Sequence, residues 1–144
     1  MANTSDLKMI TQFALEDVSK KIGTTLRKKK IALGEHHRIK SFSGISDDGS
    51  ILIKVINQSG YTSGGKRPVG KIRSVYSDCY FMSLSKAKQK ILVFTNEEFY
   101  KIFCSDSQGL LPGFELYLVT LPQELKEIAQ RVTGEASKEM TKDK

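Results

Sequence analysis

The sequence predicts an α/β protein: a mixed four-stranded sheet flanked by helices, in the order α-β-β-α-β-α-β-α. Three observations predict it. Apolar residues recur at helical spacing in several long segments. Short apolar runs of strand length lie between those segments. An Asp-Gly turn, Ser46-Asp47-Asp48-Gly49, separates two apolar runs in the pattern of a β-hairpin. A hairpin followed by strands that alternate with helices implies a mixed sheet with helices on its faces and right-handed crossovers.

The elements follow in order. Ser5 can cap a helix that begins near Asp6. Its apolar stripe is Leu7, Ile10, Phe13/Ala14, Val18, Ile22 and Thr25/Leu26, and it is expected to end in the cations Arg27 to Lys30. Gly23 weakens its interior. Gly34 breaks the pattern, and His37 to Ile45 alternates as a first strand. Ser50 to Asn57 is the second, with Ile51, Ile53 and Val55 on one face and Leu52, Lys54 and Ile56 on the other. Lys54 is thus a charge on an apolar face, and a buried lysine is costly without a partner.

A helix is expected from Ile72 to about Leu84, with Pro68 at its entrance. Lys90 to Thr95 is a continuous apolar strand, covered on both faces. Thr95 or Asn96 caps the next helix, with Glu97 and Glu98 in its first turn and Phe99, Ile102 and Phe103 inward. Phe114 to Thr120 is the last strand. Pro122 opens a final helix whose stripe is Leu125, Ile128, Ala129 and Val132 and which Gly134 is expected to stop. Residues 1–134 read as a single domain and 135–144 as a disordered charged tail.

A chain of 144 residues, 39% apolar and 27% charged, can bury a core as one soluble domain. No apolar run approaches the ~20 residues that span a bilayer, and the N-terminus lacks the features of a signal peptide. Cytoplasmic location is the expectation. Cys79 and Cys104 sit in apolar helical patterns without metal-ligand spacing and read as buried reduced thiols. Glu35-His36-His37 resembles a metal-binding fragment, but no other His or Cys stands at ligand spacing to it.

The net charge is +7. Such a balance favours polyanionic partners, although charge alone does not choose one. Its sharpest concentration follows the second strand, in Gly60-Tyr61-Thr62-Ser63-Gly64-Gly65-Lys66-Arg67-Pro68-Val69-Gly70-Lys71. Strand, glycine loop and helix are how a chain builds a phosphate cradle from backbone N–H groups. Lys66, Arg67, Lys71 and Arg73 supply the charge, and Gly64 and Gly65 the open backbone. The nucleotide-hydrolysing P-loop fails twice: Gly60, Gly65 and Lys66 are followed by Arg67, and Gly65, Gly70 and Lys71 by Ile72, where a hydroxyl should hold Mg²⁺. A solvated loop with no ligand has the same composition and stays open. Lys86, Lys88 and Lys90 would extend a basic surface, and Tyr61, Tyr76, Tyr80, Phe81 and Tyr100 are aromatic groups for either the core or base stacking.

The element order also resembles the PD-(D/E)XK, or restriction-endonuclease-like, superfamily over roughly residues 5 to 104. That fold begins with a helix bearing an acidic residue, then a hairpin, a helix and a further strand. In this family two carboxylates hold Mg²⁺ and a lysine orients or activates the attacking water. The resemblance places Asp48 as the first carboxylate, Lys54 as the lysine and Glu16 as the helix carboxylate. Leu52 stands two residues before Lys54, where the family has an acidic residue. The resemblance therefore implies a nuclease-like domain with an incomplete motif, of a kind that retains nucleic-acid or protein binding.

The expected function is nucleic-acid binding through phosphate contacts of the basic loop. The alternatives are a Mg²⁺-dependent nuclease centred on Glu16, Asp48 and Lys54, and a protein-interaction or homo-oligomeric module without enzymatic activity.

Overall fold

The computed structural model describes residues 4–60 and 66–141. Its first helix, α1 (Thr4–Ile22), stops well short of the basic run. Gly23 adopts φ +69°, a left-handed conformation that favours glycine and ends a helix. The Thr24 N–H then donates to the Ser19 carbonyl at 3.1 Å. The cations expected at the helix end lie instead on a strand, β1 (Leu26–Leu33). The sheet consequently has five strands, not four.

β1 pairs antiparallel with β2 (Arg38–Ser46) from Leu26/Ser46 to Leu33/Arg38, with an irregularity between Arg27 and Lys29. Gly34 (φ +75°) and His37 (φ +50°) close this hairpin. The expected Asp-Gly turn joins β2 to β3 (Ile51–Ile56), with Gly49 at φ +74° and its N–H donating to the Ser46 carbonyl at 2.9 Å. α2 (Val69–Ser83) then crosses to β4 (Gln89–Phe94), which lies parallel to β3. α3 (Glu97–Ser107) crosses to β5 (Phe114–Leu118), parallel to β4. Sheet order follows sequence order, β1-β2-β3-β4-β5.

The last helix, α4 (Gln123–Thr141), runs through Gly134 rather than ending there. One glycine costs a helix about 1 kcal/mol. The following Glu135, Ala136, Lys138, Glu139 and Met140 are all good helix formers. Residues 142–144 of the expected tail lie outside the described residues.

Strand alternation divides the core in two. Leu52 and Ile56 of β3, with Leu92 and Phe94 of β4, point to the side of α2 and α3 and meet Ile72, Val75, Phe99 and Phe103. Ile53, Val55, Ile91 and Val93 point to the side of α1 and α4 and meet Ile10, Ala14, Leu15 and Val18. Each fully buried side chain of this size contributes about 1.5–3 kcal/mol. Cys79 is buried as expected, whereas Cys104 is only half-buried, and both are free thiols. No helix among the described residues is long and apolar enough to cross a membrane.

Candidate nucleic-acid interface

The basic loop leaves the carboxyl end of β3, where ligands commonly meet open α/β sheets. Side chains anchor its entrance. Asn57 Nδ2 donates to Thr11 Oγ1 at 2.9 Å, and Thr95 Oγ1 donates to Asn57 Oδ1 at 2.8 Å. Gly60 packs on the start of α3 so tightly that an added Cβ would lie 2.6 Å from Glu98 Cγ and 3.0 Å from the Phe99 nitrogen. Gln58 Oε1 is buried here without a hydrogen-bond partner.

The loop's cations are not equivalent. Lys71 is half-buried, and its Nζ donates to both the carbonyl and Oγ of Ser59 at 3.1 Å. Burial lowers its pKa. Arg67 pairs with Asp106, whose other oxygen accepts from the Tyr76 hydroxyl at 2.6 Å. Tyr76 and then Arg67 hold the Asp106 carboxyl below its usual range. Burial, then Asp106, pushes the Tyr76 hydroxyl up to about 12. Lys66 and Arg73 are exposed. Gly64 and Gly65 lie outside the described residues. Lys71 and Arg67 tie the loop to Ser59 and Asp106, and Arg67, Lys66 and Arg73 all have exposed side chains.

α2 carries the surface onward. Its buried residues are Ile72, Val75, Cys79 and Met82. On the opposite side Arg73, Ser77 and Tyr80 form an exposed stripe. Of the aromatic candidates among the described residues, Tyr80 is the exposed one, at 61%. Tyr76 packs against Phe103, and Tyr100 against Phe94. Tyr80 makes an edge contact with Phe81, and Lys40 Nζ of β2 sits 4.1 Å over the Phe81 ring. The stripe that starts beside the loop thus ends beside the β1–β2 hairpin.

That hairpin is what sequence reasoning placed wrongly. It carries Arg27, Lys28, Lys29, Lys30, Arg38 and Lys40 against a single acidic residue, Glu35. All six cations except the half-buried Lys40 are exposed. Its signals were Gly23 and the two β-branched residues Thr24 and Thr25 ahead of Leu26. Lys86 and Lys88 are exposed and Lys90 is half-buried. They follow the far end of α2, about 20 Å along the helix from Lys71, and Lys90 is held by the Ala87 carbonyl at 3.0 Å.

The carboxylates and lysine of the nuclease reading are not gathered. Glu16 is exposed on α1 and accepts from Gln12 at 3.0 Å. Lys54 shares its face of β3 with Leu52 and Ile56, on the α2 side of the sheet, away from α1. Asp48 is spent in the turn: its Oδ1 accepts from Ser46 Oγ at 2.7 Å, Ser50 Oγ at 2.7 Å and Ser50 N at 3.0 Å. The Ser50 and Ser46 hydrogen bonds lower its pKa to about 2. The electrostatic neighbour of Lys54 is Asp78 of α2. Burial raises the Asp78 pKa, while Lys54 and then Lys40 pull it back. These carboxylates do not fit an Mg²⁺ site shared with Lys54. Among the described residues no group of three His, Cys, Asp or Glu is placed to hold a metal, and His36 and His37 are exposed in the β1–β2 turn.

No family model, curated protein or solved structure matches this chain.

Proposed function

We propose that this protein binds nucleic acid through phosphate contacts, along a basic surface that runs from the β3–α2 loop over α2 to the β1–β2 hairpin. The observation that carries the reading is the exposed stripe of α2, which joins Lys66 and Arg73 at one end to Tyr80 and the cationic hairpin at the other. Cations spaced along a surface neutralise successive phosphates, and an exposed tyrosine offers a face to a base. The order α1, β2–β3 hairpin, α2, β4 supports a restriction-endonuclease-like core for this binding surface. The proposal is one of binding: Leu52 replaces the family's acidic residue, and Glu16 and Lys54 occupy opposite sides of the sheet.

The test is charge reversal at Lys66→Glu with Arg73→Glu, which leaves the Arg67–Asp106 pair intact. Fluorescence anisotropy with short DNA and RNA should show binding weakened about tenfold or more at moderate salt, with a shallower dependence on salt. Unchanged affinity and salt slope would remove the loop and α2 from the interface.

A further inference from the structure

We infer that the β1–β2 hairpin is a two-stranded ribbon whose face turned away from α2 enters the major groove of duplex DNA; this rests on the nucleic-acid reading above, with the hairpin rather than the α2 stripe against the bases. β2 pairs with β3 only at Gly44/Ile53 and Ile45/Leu52. Beyond that point the strands pair with one another alone, from Lys29/Phe42 to Leu33/Arg38. The sheet therefore continues as a ribbon of two strands.

The ribbon's two faces differ. Phe42 and Leu33 are buried in the core under α2, and Ile31 packs against it. Opposite pairs on the other face are Lys30/Ser41 and Ala32/Ile39, and all four residues are exposed. Ile39 is 63% exposed, a large apolar side chain that shares its face with Ala32, Ser41 and Lys30. Solubility alone gives no reason to put an isoleucine there. A groove-reading face does: a lysine and a hydroxyl can hydrogen-bond to base edges, and isoleucine and alanine can touch thymine methyl groups. Arg27 is paired with Asp47 at 3.5 Å, and Lys28, Lys29 and Arg38 are left to contact the flanking phosphates.

Dimensions select the duplex. Paired strands lie about 4.8 Å apart, and the ribbon with its side chains fits a B-form major groove about 12 Å wide. The major groove of an RNA duplex is too deep and narrow to be read in this way. The ribbon therefore prefers duplex DNA to duplex RNA of the same sequence.

The experiment compares K28Q/K30Q with K86Q/K88Q, an equal loss of charge at exposed lysines off the ribbon, and with I39A. Anisotropy is measured on matched DNA and RNA duplexes. Methylation of guanine N7 by dimethyl sulfate reports occupancy of the major groove. K28Q/K30Q should weaken DNA duplex binding about tenfold and lower the salt slope by about two, while K86Q/K88Q changes little. The wild-type protein should protect guanine N7, and I39A should reduce that protection. Equal losses in the two lysine pairs, or binding that leaves N7 open to methylation, would overturn the ribbon while leaving phosphate binding in place. Absence of binding to any nucleic acid at low salt would instead overturn the nucleic-acid reading itself. Self-association of K28Q/K30Q with unaltered DNA affinity would assign these lysines to guarding a sheet edge, and would also overturn the ribbon.

Discussion

Asp48 shows what single residues reveal and conceal. Its position in an Asp-Gly turn was legible, because turn chemistry is local. Its role was not: the motif resemblance made it a metal ligand, whereas the structure gives its Oδ1 three donors within the turn. A carboxyl whose folded pKa falls from an ordinary 3.8 to about 2 adds stability above the unfolded value and loses it as pH falls through the folded one. Asp48→Ala should therefore lower the urea midpoint near neutral pH. The difference from wild type should shrink between about pH 4 and pH 2, and a difference independent of pH would show that the charge is not involved. The same contrast holds for Arg67 and Lys71. The sequence displayed both cations, but not Asp106 or Ser59, partners that folding brings from elsewhere in the chain.

Among the elements, those with strong local signals were found. Asn96 does cap α3, accepting from the Phe99 N–H at 2.8 Å, and the β2–β3 hairpin and β4 lie within a residue or two of their expected bounds. β1 was missed because lysine and arginine are good helix formers and a run of four cations has no period of two. Pairing with β2, a tertiary contact, overrides that propensity. Packing between elements leaves its own sequence trace in Gly44. A Cβ there would stand 2.5 Å from Leu15 Cδ1 of α1, so Gly44→Ala must displace that side chain and should cost about 1–3 kcal/mol. In a Leu15→Ala background the same substitution should cost almost nothing. Denaturant unfolding of the four proteins of this cycle measures the coupling, and additive costs would place the strain elsewhere.

Across the whole molecule, the sheet is the shared wall of two apolar layers. The alternation read along β3 assigned its residues to the right layers, and Lys54 to the α2 side, because period-two geometry leaves no other choice. What that reading could not supply was Asp78 opposite Lys54, since a helix meets a strand only through the fold. One wall serving two layers makes them unfold together. Phe103, fully buried among Phe94, Phe99 and Tyr76, should cost about 3–5 kcal/mol when truncated to alanine. Far-ultraviolet circular dichroism and tyrosine fluorescence should still report one coincident transition. Two separated transitions would mean that the layers are independent.

β1 is also where the sheet ends, and an outermost strand leaves backbone donors and acceptors ready for another chain. A second copy approaching that rim would bring Arg27, Lys28, Lys29 and Lys30 against the same four cations. Mutual repulsion opposes that edge-to-edge pairing while the lysines are bare. A bound polyanion neutralises them, and dissolved ions screen them beyond about 10 Å at 0.1 M. Under the proposed nucleic-acid binding, dispersal of the protein is coupled to its loading: the mixture is most prone to clump where protein and polyanion charges cancel, and clears again with either in excess.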